Sequence, residues 1–210
     1  FLVKKGIKML VIACNTATAV ALEEISQQLD IPVVGVILPG TRGAVKSSKN
    51  QRIGVIGTLG TIKSQSYEQA IRSRDLNAHV ISLACPKFVP LVESNQYQSP
   101  IAKKVVAETL VPLHNKKIDT LILGCTHYPL LRPIIQNVMG RQVKLIDSGA
   151  ETITEVSMLL DYFKLGNLYA TKTGELTCYT TGSTKLFDEI ANEWLQGPTI
   201  ASKHIQLGDE

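Results

Sequence analysis

Short runs rich in valine and isoleucine alternate along this chain with longer stretches whose apolar residues recur at helical spacing. Such runs are typical of buried parallel strands, and the stretches between them are typical of connecting helices. The alternation predicts an α/β fold with a mainly parallel sheet flanked by helices. The predicted strands are residues 9–13, 33–37, 52–56, 79–83, 120–124, 143–146 and 176–180. The predicted helices are residues 16–29, 61–72, 100–115, 129–138, 151–163 and 184–195.

Two of the predicted strands lead into similar motifs. Residues 10–16 read LVIACNT and residues 121–127 read LILGCTH, each an aliphatic run, a small residue, a cysteine and a threonine. Ligands of open α/β sheets bind beyond the carboxyl ends of the strands, where both cysteines are expected. We therefore expect the thiols of Cys14 and Cys125 to face one pocket.

Two turn-rich segments predict a division into lobes. Residues 38–51 contain Pro-Gly and a polar SSKN stretch, and residues 147–149 read DSG. Cuts there give a first lobe of residues 1–40 and 150–210 and a second lobe of residues 41–149. Because this places one cysteine in each lobe, we expect two pseudo-symmetric lobes with the active site between them.

The composition excludes several classes of function. With 44% hydrophobic and 19% charged residues, the chain has the composition of a globular protein. Its net charge of +4 comes from scattered lysines without a basic stripe, so we expect no nucleic-acid partner. The apolar runs are too short to span a bilayer and no signal peptide is evident, so we expect a cytoplasmic protein without a membrane partner.

Four cysteines without a CxxC pair indicate reduced thiols. Cys85 and Cys178 are expected to be buried and inert. Cys14 and Cys125 suit proton transfer at a carbon centre, because a free thiol has a pKa of about 8.5 and a helix N-terminus favours the thiolate. His127 lies two residues beyond Cys125, on the same side of an extended segment, and is a candidate proton partner for that thiol.

Polar groups near both cysteines suit a small anionic ligand. Asn15, Thr16 and Thr126 offer side-chain donors, and the helix N-termini offer backbone N–H groups. Each of these residues taken alone is also an ordinary helix cap. Residues 57–61, GTLGT, lack the lysine of a phosphate loop, so an anion cradle and a plain strand-to-helix turn stay open.

Four segments resemble glutamate racemases, within the aspartate/glutamate racemase superfamily. ACNTA at residues 13–17 and GCTHYPLL at 124–131 resemble the two cysteine motifs, supported by IGVIGT at 53–58 and CPKFVPLVE at 85–93. The histidine that follows Cys-Thr favours the glutamate branch over aspartate racemases, which tend to carry an acidic residue there. The resemblance implies cofactor-independent interconversion of L- and D-glutamate for peptidoglycan synthesis, by a homodimer that needs neither pyridoxal phosphate nor a metal.

The resemblance also implies roles for individual residues. Cys14 would be the base for D-glutamate and Cys125 the base for L-glutamate, with His127 assisting Cys125. The residues implied to hold the amino and carboxylate groups of the substrate are Asn15, Thr16, Thr58 and Thr126, and the one implied as a secondary polar residue near the site is Glu93. A plain surface carboxylate is the alternative interpretation of that last residue.

One departure from the family pattern concerns the start of the chain. Racemases of this family begin with a strand and an Asp-Ser-Gly turn, followed by a Pro-Tyr-Gly segment, and neither motif precedes Cys14 here. The DSG at residues 147–149 lies after the second cysteine motif and is not the missing turn. Since the sequence starts at Phe1 without methionine, we expect it to be truncated, and a protein of this chain alone to be poorly folded or inactive.

Two other functions remain open at this point. A metal-dependent hydrolase would use Cys14, Cys125 and His127 as three ligands with an open fourth position, although no carboxylate is clearly placed as its general base. A non-catalytic amino-acid-binding fragment would bind glutamate without exchanging its α-proton.

Overall fold

The computed structural model describes residues 1–167, 174–195 and 197–208. The strands are β1 (Leu10–Ile12), β2 (Val33–Gly35), β3 (Arg52–Gly57), β4 (His79–Ala84), β5 (Thr120–Gly124), β6 (Lys144–Asp147), β7 (Tyr179–Thr180) and β8 (Lys203–His204). The α-helices are α1 (Asn15–Gln28), α2 (Ile37–Ser47), α3 (Leu59–Lys63), α4 (Ser66–Arg72), α5 (Phe88–Glu93), α6 (Pro100–His114), α7 (Arg132–Met139), α8 (Ser148–Tyr162) and α9 (Thr184–Leu195). Short 3-10 helices cover Val3–Lys5 and Tyr128–Leu131.

The chain forms two compact units. The larger unit is Lys8–Leu165 and contains β1 to β6 and α1 to α8. The smaller unit combines Phe1–Ile7 with Gly166–Glu210 and contains β7, β8 and α9. These units have different bounds from the two predicted lobes, residues 1–40 with 150–210 and residues 41–149, and that division stays a prediction.

All strand pairs in the described residues are parallel. The larger unit holds a four-stranded sheet in the order β4-β3-β5-β6 and a two-stranded sheet of β1 and β2. The predicted α/β fold of parallel strands flanked by helices is thereby confirmed. At the carboxyl ends of the two central strands Gly57 pairs with Gly124, so the residues that follow, Thr58 and Cys125, emerge side by side.

Branched aliphatic residues of the central strands form the core of the larger unit. Every residue of β5 is buried, and so is all of β3 beyond its first residue. Such residues pack well on a pleated surface that is covered on both faces. The main cluster draws on β3, β5, β6, α2 and α4 and consists of Ile37, Ala44, Ile53, Val55, Tyr67, Ile71, Ala78, Ile122 and Ile146.

The segment predicted as a lobe boundary, residues 38–51, contains all of helix α2 but its first residue, and the sequence analysis missed this helix. Pro39 and Gly40 suggest a turn in sequence, but proline is tolerated in the first turn of a helix. The glycines serve close packing of α2 against α8. A Cβ atom at Gly40 would come within 3.0 Å of Ser148, and one at Gly43 within 2.6 Å of Glu151.

The predicted helix 61–72 is wrong as a single helix, because the structure has α3 and α4 in its place. Gln65 separates them in the left-handed conformation, with φ of 55°. The apolar spacing of the two short helices is continuous in sequence, so periodicity alone did not reveal the break. The break points Tyr67, near the start of α4, into the core of the larger unit.

Candidate active site

Cys14 lies in the turn between β1 and α1. Its backbone is extended, and it is the N-cap residue of α1, with Sγ accepting a hydrogen bond from the Ala17 N–H at 3.5 Å. The side chain is exposed. This thiol therefore sits at the positive end of a helix dipole and in contact with solvent.

Cys125 follows β5 and is enclosed, with 7% of its surface exposed. Burial raises the pKa of the Cys125 thiol, and the nearby Cys14 adds to that rise. Hydrogen bonds from the backbone of His127 and Tyr128 and from Thr126 act in the opposite direction without cancelling it. The two thiols thus have different environments although their sequence motifs are alike.

Both thiols line one cavity of about 170 Å³. Seven of the eight residues singled out from the sequence contribute to its wall, joined by Val89 and Gly124, and the full lining is Cys14, Asn15, Thr16, Thr58, Val89, Gly124, Cys125, Thr126 and His127. The eighth, Glu93, contacts His127 instead. A larger cavity of about 500 Å³, at the carboxyl ends of α6 and α7, contains neither thiol.

His127 links Cys125 to Glu93. Its Nδ1 lies 3.8 Å from Cys125 Sγ and 3.2 Å from Thr126 Oγ1, and its Nε2 lies 3.0 Å from Glu93 Oε1. An ionised carboxylate only accepts hydrogen bonds, so the contact with Glu93 assigns an N–H group to Nε2 and leaves Nδ1 as the nitrogen that faces Cys125 and Thr126. The ring is therefore oriented to take a proton from the Cys125 side.

Three threonine hydroxyls cluster beside the cavity, and two of these residues, Thr16 and Thr58, line it. Thr16 Oγ1 lies 2.8 Å from Thr58 Oγ1 and 2.9 Å from Thr61 Oγ1, and the last two are 3.2 Å apart. Thr58 is also the N-cap residue of α3. The sequence analysis considered Thr61 only as part of the GTLGT segment, without a role of its own.

Asn15 is 2% exposed and joins two residues that the sequence analysis did not identify. Its Oδ1 accepts a hydrogen bond from the Tyr67 hydroxyl at 2.6 Å, and its Nδ2 lies 3.4 Å from Ser148 Oγ. Ser148 belongs to the DSG segment that predicted a boundary. No local pattern marks Tyr67, because its contact with Asn15 spans 52 positions of sequence.

Comparison with known proteins identifies the family. Residues 2–156 match the family described as Asp/Glu/Hydantoin racemase. The protein named glutamate racemase from Enterococcus faecalis is 67% identical over 208 residues, covering 99% of this chain and 76% of that protein. This chain belongs to the glutamate racemase family. The resemblance of its two cysteine motifs to that family is confirmed.

Solved glutamate racemases share the fold of this family member. The RacE1 isoform from Bacillus anthracis is 42% identical with a TM-score of 0.92, covering 98% of this chain and 77% of that one. Glutamate racemase from Francisella tularensis, solved in complex with D-glutamate, is 31% identical with a TM-score of 0.91, covering 100% of this chain and 78% of that one. As a glutamate racemase by family, the chain is placed among the isomerases.

The part of the chain that the structure describes does not offer the ligand set of the hydrolase alternative. In residues 1–167, 174–195 and 197–208 of this glutamate racemase family member, no group of three or more His, Cys, Asp or Glu side chains is arranged to hold a metal ion. Within the same ranges, no helix has the length and apolar character that crossing a bilayer requires.

Proposed function

We propose that this chain interconverts L- and D-glutamate by proton transfer between two thiols, Cys14 and Cys125, without a cofactor. The observation that supports the proposal is that both side chains line the same cavity of about 170 Å³. Inversion at a carbon centre requires a proton to leave one face and another to arrive at the opposite face. Two thiols in the wall of one small cavity support this proposal, in which each thiol serves one face of the carbon.

The proposed reaction uses the same two groups in opposite order for the two enantiomers. The Cys14 thiolate removes the α-proton of D-glutamate, so a C–H bond breaks and an S–H bond forms. The Cys125 thiol then delivers its proton to the other face, and L-glutamate leaves with Cys125 as thiolate. For L-glutamate the steps reverse. Because enantiomers have equal free energies, kcat/KM must be the same in both directions.

His127 and Glu93 assist Cys125 in this proposal. Since burial raises the pKa of Cys125, little thiolate exists at neutral pH without a partner. His127 Nδ1, at 3.8 Å from the sulfur, can accept the thiol proton. Glu93, at 3.0 Å from Nε2, orients the ring and stabilises its protonated form.

The polar side chains of the cavity are proposed to hold the amino and carboxylate groups of glutamate. Thr16, Thr58 and Thr126 offer hydroxyl groups at the wall, and Asn15 stands at the start of α1. The N-terminus of a 14-residue helix favours a carboxylate. That the Francisella tularensis glutamate racemase was solved with D-glutamate supports glutamate as the ligand.

The test is NMR of each enantiomer in D₂O with the purified, reduced chain and a chelator. We expect α-proton exchange with inversion from both L- and D-glutamate. Cys14→Ser and Cys125→Ser are expected to abolish inversion, whereas Cys178→Ser, which changes a cysteine outside the cavity, is expected to retain it. Absence of exchange would contradict the proposal, and glutamate binding without exchange would favour the non-catalytic alternative.

Three wider properties belong to the same proposal. We propose that the chain acts in the cytoplasm, that its D-glutamate enters peptidoglycan, and that it forms a homodimer. Rescue of a bacterial strain that requires external D-glutamate tests the first two together. Light scattering after size exclusion tests the third, and a mass of one chain would contradict it.

A further inference from the structure

We infer that Tyr67 is a positioning residue that sets the separation of the two thiols, because it touches the residue next to each of them. The inference rests on the proposed two-thiol function. Tyr67 lies in α4, far in sequence from both cysteine motifs, and none of its atoms lines the cavity. Its role would therefore be exercised through its neighbours.

The hydroxyl group of Tyr67 acts on the Cys14 side. It donates a hydrogen bond of 2.6 Å to Asn15 Oδ1, and Asn15 is the first residue of α1. Because Cys14 is the N-cap residue of that helix, its position follows that of Asn15. The hydroxyl stays protonated and acts as a donor, since burial raises the pKa of Tyr67. A donor at Oδ1 fixes the amide, so that Nδ2 faces Ser148 at 3.4 Å.

The ring of Tyr67 acts on the Cys125 side. A Cβ atom at Gly124 would lie 3.2 Å from Tyr67 Cε2 and 2.7 Å from the carbonyl oxygen of Ile56. The absence of a side chain at Gly124 thus lets the ring rest against the backbone beside Cys125. The carboxyl end of β5 is therefore packed between the Tyr67 ring and β3, and it has little freedom to shift.

One buried side chain, 2% exposed, therefore spans the two motifs. Tyr67→Phe separates its two contacts, because it deletes the hydroxyl and keeps the ring. The buried amide oxygen of Asn15 would then exchange a donor at 2.6 Å for the weaker contact with the Ser148 hydroxyl at 3.5 Å, which favours local opening at the start of α1. The start of α1 forms part of the wall of the cavity that Cys125 also lines, so its opening would expose Cys125.

The reactivity of the cysteine thiols reports on this local opening. Cys14 is exposed, whereas Cys125 and Cys85 are buried, the latter with 0% exposure and outside the cavity lining. We expect Tyr67→Phe to accelerate alkylation of Cys125 by iodoacetamide about fivefold, as expected for the loss of one neutral hydrogen bond. Cys85 should keep its rate. Mass spectrometry of peptides resolves each site.

Two variants make the measurement specific. Tyr162→Phe removes the same atom from an exposed tyrosine and should leave every alkylation rate unchanged. In an Asn15→Ala background the Tyr67 hydroxyl no longer bonds to the first residue of α1, so Tyr67→Phe should change the Cys125 rate less than about twofold.

Isotope effects distinguish a positioning residue from one that only stabilises the fold, because loss of stability alone would leave them unchanged. When the Cys14 thiol is misplaced, proton transfer to and from it becomes the slower step. In Tyr67→Phe we therefore expect the primary isotope effect on kcat/KM to rise with D-[2-²H]glutamate and to fall toward one with L-[2-²H]glutamate. Unchanged isotope effects on both enantiomers would overturn the inference.

The alkylation experiment tests the role of Tyr67 even if the chain has no racemase activity. Equal acceleration of Cys85 and Cys125 would mean general loosening and would overturn the inference, and so would an unchanged Cys125 rate. If the parent chain exchanges neither enantiomer, the proposed function fails, while the alkylation pattern still reports whether Tyr67 holds the two motifs.

Discussion

Cys14 and Cys125 occupy equivalent places in two similar motifs, yet their surroundings differ. Cys14 begins a helix at the surface, whereas Cys125 ends a strand that is buried along its whole length. In a two-base reaction each thiol must be a base for one enantiomer and an acid for the other. Burial favours the protonated thiol form of Cys125, and His127 and Glu93 lie in line beside it.

The pH dependence of Cys125 reactivity follows from its burial. Because burial raises its pKa, the unreactive thiol form persists to higher pH than for an ordinary cysteine. In the Cys14→Ser variant we expect iodoacetamide alkylation of Cys125 to rise with pH and to inflect above about 8.5, the value of a free thiol. The same chain unfolded in urea should inflect near that value. An inflection at or below it in the folded chain would contradict this prediction.

Glu93→Gln tests the carboxylate behind His127. The substitution keeps the size of the side chain but removes the charge that stabilises a protonated imidazole. We expect kcat/KM to fall about tenfold in both directions, part of the effect of a general base. Glu108→Gln, on the exposed face of α6, serves as the control and should change nothing. Equal activity of Glu93→Gln and the parent would assign Glu93 to the surface.

At the scale of elements, the close approach of β3 and β5 depends on Gly124. A methyl group there would meet the Ile56 carbonyl oxygen at 2.7 Å, a backbone atom that cannot swing away. We expect Gly124→Ala to lower the free energy of unfolding by about 2 kcal/mol. Urea denaturation measures this. Gly166→Ala, with no atom within 4 Å of the added carbon, should leave stability nearly unchanged.

Asp119 holds the turn before β3 to the start of β5. Its carboxylate accepts hydrogen bonds from the Ser48 hydroxyl at 2.6 Å and from the Lys49 and Asn50 N–H groups at 2.6 and 2.8 Å. Burial acts to raise the pKa of Asp119, but these bonds and one from Thr120 outweigh it, and the pKa is lowered.

Asp119→Asn should therefore destabilise the protein in a pH-dependent way. A lowered pKa means that the carboxylate contributes stability above its usual value of 3.8, and that this stability is lost as the pH falls through the folded value. At pH 7 we expect the variant to lose about 1–2 kcal/mol. Denaturation curves from pH 7 to pH 2 should converge with those of the parent at the acid end. A constant difference across that range would contradict the assignment.

Sequence patterns predicted elements well where one pattern dominates. Residues 120–124 and 184–195 have the predicted bounds, because a run of aliphatic residues or a strongly amphipathic stretch leaves few alternatives. The pattern failed at α2, where Pro39 and two glycines resemble a turn. The two glycines allow close contact between α2 and α8, which is more than 100 positions away in sequence. No local sequence pattern could therefore reveal their role.

The site divides in the same way. Residues of the two motifs were singled out because each motif follows a predicted strand, and Thr58 because of the family resemblance, and the structure brings them to one cavity. Tyr67 was missed because its contact with Asn15 joins two helices that are far apart in sequence. The sequence therefore predicts the reactive groups, but not the packed residues that set the distances between them.

At the scale of the whole molecule, the hydrophobic core belongs to the larger unit. Among the described residues of the smaller unit, Ile200 is the apolar side chain that is buried. We therefore expect a polypeptide of residues 8–165 to retain one cooperative unfolding transition in urea by circular dichroism. A gradual, non-cooperative change would show that the smaller unit is required for folding.

The strand order β4-β3-β5-β6 has a consequence for biosynthesis. β3 and β4 pair early as the chain leaves the ribosome, but the inner edge of β3 stays unpaired until β5 has been made, after α6. During that interval the unpaired edge of β3 can pair with strands of other unfinished chains, and such pairing leads to aggregation. Cys14 is already synthesised then, while Cys125 and the cavity they share do not yet exist. Crowded expression at high temperature should thus harm yield before it harms the specific activity of the chains that finish.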